Sequence, residues 1–172
     1  MSKVVCHFTM SLDGYVAGPG HDMSWLAGVS VPHDLIDRYV ESTGAIVAGR
    51  RGWEEAISIH RPYGGRWSGP VFVLSHRSGP AAERGVSYVD DVSSALTQAR
   101  EAAGAKNVEI FSPSIGRQAL ELGLLDEFDL HIAPVLLGDG VRLYEAPGGT
   151  PVPLSRADGT RSVVDVRLEP SA

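Results

Sequence analysis

GAKNVEIFSPSIGRQALELGLLDEFDLHIAPVLLGDGVRLY, residues Gly104–Tyr144, is the stretch whose reading decides the fold. Its first apolar run, Asn107–Phe111, reads as a strand. Ile115–Gly123 follows with helical spacing, with Ile115, Ala119 and Leu120 on one face and Gly123 at the stop. Phe128, Leu130 and Ile132 then alternate with Asp129, His131 and Ala133, the period of a second strand. Strand, crossover helix and strand within this length form the unit of a parallel sheet with helices on its faces. The turn Ser112-Pro113-Ser114 then falls at the carboxyl edge of the sheet and at a helix start, where α/β proteins hold phosphates and nucleotides. Gly138-Asp139-Gly140 reads as a tight turn first and as pocket lining second.

Outward from this unit, Val4–Met10 reads as a first strand, followed by a glycine-rich loop from Ser11 to about Gly28. A helix is expected from Pro32 with Leu35, Ile36, Tyr39 and Val40 on one face. Ala45–Ala48, Val71–Leu74 and Val86–Val89 read as short strands. A helix with Trp53, Ala56 and Ile57 inward follows the first of them, and an amphipathic helix, Val92–Ala103, follows the last. The turn Asp158-Gly159 and a last strand, Ser162–Leu168, are expected to close the chain as a hairpin-like end. Alternating strands and helices predict α/β, a mostly parallel central sheet with an antiparallel C-terminal edge, in a single domain spanning 1–172.

Composition narrows the function. The chain has 172 residues, 43% hydrophobic and 21% charged, as in an ordinary globular protein. A net charge of −6 argues against nucleic-acid binding and requires a local basic cluster for any anionic ligand. The single cysteine, Cys6, excludes an internal disulfide and reads as a small buried hydrophobe. With no signal-like start and no apolar run of membrane length, a cytoplasmic location is expected, and the histidines show no metal-ligand spacing.

Three turns end predicted strands: Gly49-Arg50-Arg51, Ser75-His76-Arg77 and Ser112-Pro113-Ser114. In a parallel sheet these ends share one edge, so Arg50, Arg51 and Arg77 converge although far apart in the chain. Arg forks suit phosphate, and helix-start N–H groups add to them, so the trio points to a phosphorylated ligand. Asp34, in the first turn of a helix, is the candidate acid for handling a proton; its bland reading is an acid complementing the helix dipole. Asp13 reads as a substrate ligand or as an Asx-turn residue, and Trp25 as a pocket wall or a staple to the core. His131, out of phase with the apolar positions of its strand, reads as a satisfied or interface residue rather than a catalyst.

The order of these pieces resembles the C-terminal reductase domain of bifunctional riboflavin-biosynthesis deaminase-reductases and their stand-alone relatives, which share the dihydrofolate reductase fold. The resemblance rests on Met10–Tyr15, Asp22–Leu26, Val47–Arg51, Val71–Arg77 and nearly all of Lys106–Tyr144. Its most specific parts are Gly123-Leu124-Leu125-Asp126-Glu127 and Ala133-Pro134-Val135-Leu136-Leu137-Gly138. It implies a three-layer α/β/α reductase using NADPH and commonly dimeric, which reduces a C=O or C=N bond in a small heterocyclic or sugar-like substrate. Carried over by position, Gly49, Arg50 and Arg51 face the pyrophosphate region, and Ser75, His76 and Arg77 the adenosine 2′-phosphate. Met10 to Ala17, Val16 included, border the nicotinamide. Ser112, Ser114 and Ile115 offer the helix start after the fifth strand of the main sheet. Asp34 falls at the acidic substrate position of dihydrofolate reductases, which makes that enzyme an alternative.

Two positions depart from the family pattern. Gly52 stands where the family usually has Thr, and Ser112-Pro113 where it has Gly-Gly. They favour another alternative, a degenerate nucleotide-binding or dimeric interaction protein without catalysis. Because the Gly-Gly link is cis in dihydrofolate reductases, the resemblance also predicts a cis Ser112–Pro113 bond.

Overall fold

The structure, a computed structural model, describes residues 2–59, 61–77 and 85–170. Its centre is a six-stranded sheet in which every neighbouring pair is parallel. The strands are β1 (Val4–Ser11), β3 (Thr43–Gly49), β4 (Val71–Leu74), β5 (Val86–Val89), β6 (Asn107–Ile110) and β7 (Glu127–Ala133), in the order β5-β4-β3-β6-β1-β7. Two short strands, β2 (Tyr15–Ala17) and β8 (Val141–Arg142), pair antiparallel beside it. The helices are α1 (His33–Ser42), α2 (Arg50–Ile59), α3 (Val92–Ala103) and α4 (Pro113–Glu121).

Strand alternation sorts the helices into two layers. Val4, Ala45, Val47, Phe72, Val108 and Ile110 face α3 and α4, meeting Ala95, Leu96, Ala99, Ile115 and Ala119. Ile46, Ala48, Val71 and Val73 face the other way, against Trp53 of α2, Val40 of α1 and Trp67. The inward face of α3 is the one its apolar spacing predicts, apart from Ala102, which is exposed. Asp91 caps that helix, accepting from Ser94 N at 2.8 Å, and Gly104 ends it at φ +61°. Of the residues expected inward on α2, Trp53 is buried; the side chains of Ala56 and Ile57 lie outside those described.

Strand order places the site. From β3 the chain steps outward to β4 across the α1/α2 face, and from β6 it crosses β1 to β7 by way of α4 on the opposite face. The carboxyl ends of neighbouring β3 and β6 therefore diverge to opposite faces and leave a crevice between them, the position where open α/β sheets bind ligands.

Three expectations are corrected. The antiparallel pairing toward the C-terminal end is made by β8 with β2, and no strand forms at Ser162–Leu168. The turn at Asp158-Gly159 does close, with Arg156 N donating to Thr160 O at 2.8 Å, but no strand lies alongside to extend it, and a lone hairpin arm is marginal in water. The loop after β1 is shorter than predicted because Tyr15–Ala17 pairs with β8. No cis peptide occurs among the described residues, so Ser112–Pro113 is trans. Ser112 is extended (φ −153°, ψ 120°), as a residue before proline prefers, and Pro113 occupies the first helical turn, where an N–H has no intrahelical acceptor.

The layers are held at a fixed separation by small residues. A Cβ on Gly44 would lie 2.7 Å from Cα, Cβ and O of Ala103, so β3 and α3 touch backbone to backbone there. Gly44→Ala is expected to destabilise the protein by about 1–3 kcal/mol in urea unfolding, as overpacking does; a loss under about 0.5 kcal/mol would show that the layers can part.

Candidate active site

The three turns read from the sequence do meet. Arg50 Nη1 donates to Ser75 Oγ at 3.3 Å, joining the turn after β3 to the turn after β4. Ser75 Oγ in turn donates to Arg77 O at 2.9 Å and accepts from Arg77 N at 3.1 Å, which folds Ser75-His76-Arg77 into a compact loop. On the other side of β3, a Cβ on Gly49 would lie 3.1 Å from Ser112 Oγ, so glycine permits the close approach of the turn after β6. Ser112 Oγ lies 3.1 Å from Ser114 Oγ. The first N–H groups of α2 and α4 both open on this edge, without intrahelical acceptors. Arg50 also pairs with Glu54 at 2.7 Å, and Arg51 Nη1 reaches His21 Nε2 at 3.1 Å. Beside Ser75, His76 and Arg77 lies a cavity of about 470 Å³, lined also by Tyr88, Asp90, Ser94 and Gln98.

The loop expected to border the reacting centre is clamped from the C-terminal side. Asp13 accepts from Ser11 Oγ at 2.6 Å, Leu137 N at 3.1 Å and Gly138 N at 2.8 Å. Hydrogen bonds from Ser11 first, then from those backbone groups, hold its carboxyl at about 2. Leu12 N donates to Val135 O, Leu143 N to Gly14 O, and the Arg142 guanidinium lies 4.4 Å from the centre of the Tyr15 ring. A Cβ on Gly140 would lie 2.1 Å from Ala17 O, so this glycine of the Gly138-Asp139-Gly140 turn sets how closely β8 approaches β2. Val16 and Ala17 are buried and Met10 is half-buried.

Of the other residues singled out, Trp25 sits half-buried in a 3-10 turn, Ser24–Gly28. Its buried indole Nε1 has no hydrogen-bond partner among the described residues, and neither has Trp53 Nε1. Asp34 is exposed in the first turn of α1 and makes no side-chain hydrogen bond among the described residues. Cys6 is buried against Gly116, and burial pushes its thiol up to about 12. Among the described residues no group of His, Cys, Asp and Glu is arranged to hold a metal ion, and no helix is long and apolar enough to cross a membrane.

A second polar centre escaped the sequence reading. His7, Glu109, Asp129 and His131 lie on the sheet face that α1 covers, where Tyr39 of α1 and Tyr63 of a 3-10 turn join them. The rings of His7 and Tyr39 stack with centroids 3.8 Å apart. The one signal in the sequence was the placing of Asp129 and His131 out of phase with the apolar positions.

The chain belongs to the RibD C-terminal domain family, which it matches over residues 2–163. A structure described as a riboflavin biosynthesis protein of Shewanella sp. PV-4 is 24% identical, covers 86% of this chain and 86% of its own, and superposes with a TM-score of 0.70. Dihydrofolate reductase of Enterococcus faecalis, complexed with NADP(H) and RAB-propyl, is 16% identical over 83% of this chain and 77% of its own, with a TM-score of 0.59. Both show the dihydrofolate reductase-like α/β/α fold. No curated protein sequence matches the chain.

The Asp13 clamp has a pH signature. Its folded carboxyl titrates at about 2 against an ordinary 3.8, so its contribution to stability is complete above the ordinary value and is lost as pH falls toward about 2. Asp13→Asn is expected to lower the melting temperature at neutral pH, and the gap from the parent protein should close between about pH 5 and about pH 2. A gap independent of pH would mean that the carboxylate charge is not what holds the loop.

Proposed function

We propose that the protein is an NADPH-dependent reductase that adds hydride to a C=O or C=N bond of a small heterocyclic or sugar-like substrate. The observation that carries the reading is the joined edge: Arg50 bound to Ser75, whose turn presents Arg77 beside a cavity of about 470 Å³. The donor set fits a phosphorylated dinucleotide. It offers guanidinium groups, serine hydroxyls and two helix starts, with glycine where the backbone must come close. Arg50, Arg51 and the start of α2 would hold the pyrophosphate, and Ser75, His76 and Arg77 the 2′-phosphate. Ser112, Ser114 and Ile115 would add the start of α4. When bound, NADPH supplies the hydride and carries the electron chemistry. The chain's part is to hold that ring beside Met10–Ala17 and to place the substrate between this loop, Trp25 and α1, with Asp34 at the mouth.

A second reading, nucleotide binding without chemistry, draws on Gly52 and Pro113. Gly52 is exposed, and only Phe111 O lies within 4 Å of where its Cβ would be, at 3.9 Å, so a threonine hydroxyl would fit there and is missing. Pro113 removes one donor from the start of α4. Retention of Arg50, Arg51, Ser75 and Arg77 favours the reductase.

Fluorescence titration should give tighter binding of NADPH than of NADH, and Arg77→Ala should weaken NADPH by about 1–3 kcal/mol, as lost charge-assisted contacts do. Equal affinities in the parent protein would contradict the 2′-phosphate assignment. Turnover of NADPH with a carbonyl or imine substrate separates the reductase from the binding-only reading.

We also propose a homodimer. Val163 is 90% exposed, and Val164, Val166 and Leu168 are exposed on the same tail, a surface that a second copy would cover. Sedimentation at micromolar concentration should give twice the mass of the chain; a monomer would count against the pairing.

A further inference from the structure

The sheet face beneath α1 holds side chains that an apolar interior excludes unless they are paired. Glu109 is 2% exposed, and its partners are Thr43 Oγ1 at 2.5 Å, the Tyr63 hydroxyl and His7 Nδ1 at 3.3 Å. The donors order the rest of the cluster. The Tyr39 hydroxyl donates to Asp129 Oδ2 at 2.6 Å, so its oxygen can accept from His131 Nε2 at 3.0 Å. The same Nε2 lies 3.1 Å from His7 Nε2, a separation at which the two nitrogens share one proton. With that proton on His131, His7 Nε2 accepts, and the proton of His7 sits on Nδ1, toward Glu109. His131 Nδ1 is then the ring nitrogen of the pair that makes no hydrogen bond among the described residues.

The position of His131 gives this open nitrogen a use. His131 pairs with Thr9, two residues before Ala133 pairs with Ser11 at the carboxyl end of β1, so it lies within roughly 7 Å of that edge along the strand. It is half-buried, on the sheet face that α1 covers through Tyr39. Asp34, by contrast, is exposed and outside the cluster.

We propose that His131 is the catalytic residue that protonates the substrate heteroatom during reduction, and that His7–Glu109 and Tyr39–Asp129 are positioning residues that fix its tautomer. The proposal rests on the reductase reading. In the step, the substrate carbon receives hydride from the reduced nicotinamide, which is thereby oxidised. The π-electron pair of the C=O or C=N bond moves to the oxygen or nitrogen, which bonds to the proton leaving His131 Nδ1. The N–H electrons stay on the imidazole, which becomes neutral, and solvent restores the proton.

The surroundings suit that task. Burial first, then the neighbouring His7, lowers the His131 pKa; Asp129 opposes this and Arg38 adds to it. The groups acting on the imidazole are His7 from β1, Tyr39 and Arg38 from α1 and Asp129 from β7, with Glu109 of β6 and Tyr63 of its 3-10 turn reaching it only through His7. Once charged, such an imidazole is a ready proton donor.

The test reads imidazole nitrogens by NMR in protein labelled with ¹⁵N-histidine, assigned with His131→Gln and His7→Gln. In the protein without cofactor, His131 should be the Nε2–H tautomer and titrate below an ordinary histidine. His7→Gln should raise that midpoint, and Tyr39→Phe should perturb the Nε2 signal should the first variant fold poorly. With cofactor at saturation, NADP⁺, whose nicotinamide ring is cationic, should lower the His131 midpoint further than NADPH does. An Nδ1–H tautomer, or one midpoint for both bound cofactors, would overturn the assignment. Fluorescence titration of the same samples identifies the other failure: a protein that binds neither cofactor would overturn the reductase reading and the catalytic role with it.

Discussion

The carboxyl edge depends on how closely β3 can approach its neighbours. β3 pairs with both β4 and β6, and it is the strand beside which the crevice opens. Gly44 at its start lets it touch Ala103 of α3, and Gly49 at its end lets it touch Ser112 after β6. A Cβ at Gly49 would meet Ser112 Oγ at 3.1 Å, so that hydroxyl would have to shift by a few tenths of an ångström. The Arg50–Ser75 contact then ties the turn after β4 to the same point. Backbone proximity, rather than any one charged residue, brings three short turns to a single edge, the proposed anion site of a protein of net charge −6.

Two polar systems serve different purposes in this frame. The edge turns are partly exposed, and their guanidinium groups have donors to spare for a ligand. The cluster beneath α1 is half-buried around a buried Glu109, its carboxylates already engaged by hydroxyls and imidazoles, and it spans strands that meet only through the sheet order. Between them runs the loop from Ser11 to Ala17, held by Asp13 to Leu137 and Gly138 and packed against Gly140. The distinctive C-terminal stretch therefore contributes a strand, a clamp for the loop and His131.

Much of this was legible in the sequence because its physical origin is local. Alternation in Phe128–Ala133, the helical spacing of Val92–Ala103 and the glycine stop at Gly123 each act within a few residues. That the turns after β3, β4 and β6 share an edge followed from one rule, that parallel strands share a carboxyl edge; the expected meeting of Arg50, Arg51 and Arg77 is realised in the turns, with Arg50 on Ser75 and Arg51 on His21. The cluster beneath α1 was not legible, since Glu109 looks like an interruption in an apolar run until strand order sets it beside His7. Tyr63 joins from a turn with φ +55°, a conformation that the chain around it does not announce. The tail misled for the converse reason: Ser162–Leu168 alternates like a strand, but alternation does not supply a partner. The trans bond at Pro113 shows a geometry carried from Gly-Gly relatives to a residue pair that turns by other means.

The central claim is that three turns form one dinucleotide site, and a crystal structure of the protein grown with NADP⁺ tests it most directly. The expected result is a 2′-phosphate held by Ser75, His76 and Arg77, a pyrophosphate across the starts of α2 and α4, and a nicotinamide ring against Met10–Ala17 on the side facing His131. A cofactor bound elsewhere, or an edge that holds only its adenosine half while the nicotinamide ring points away from that loop, would contradict it.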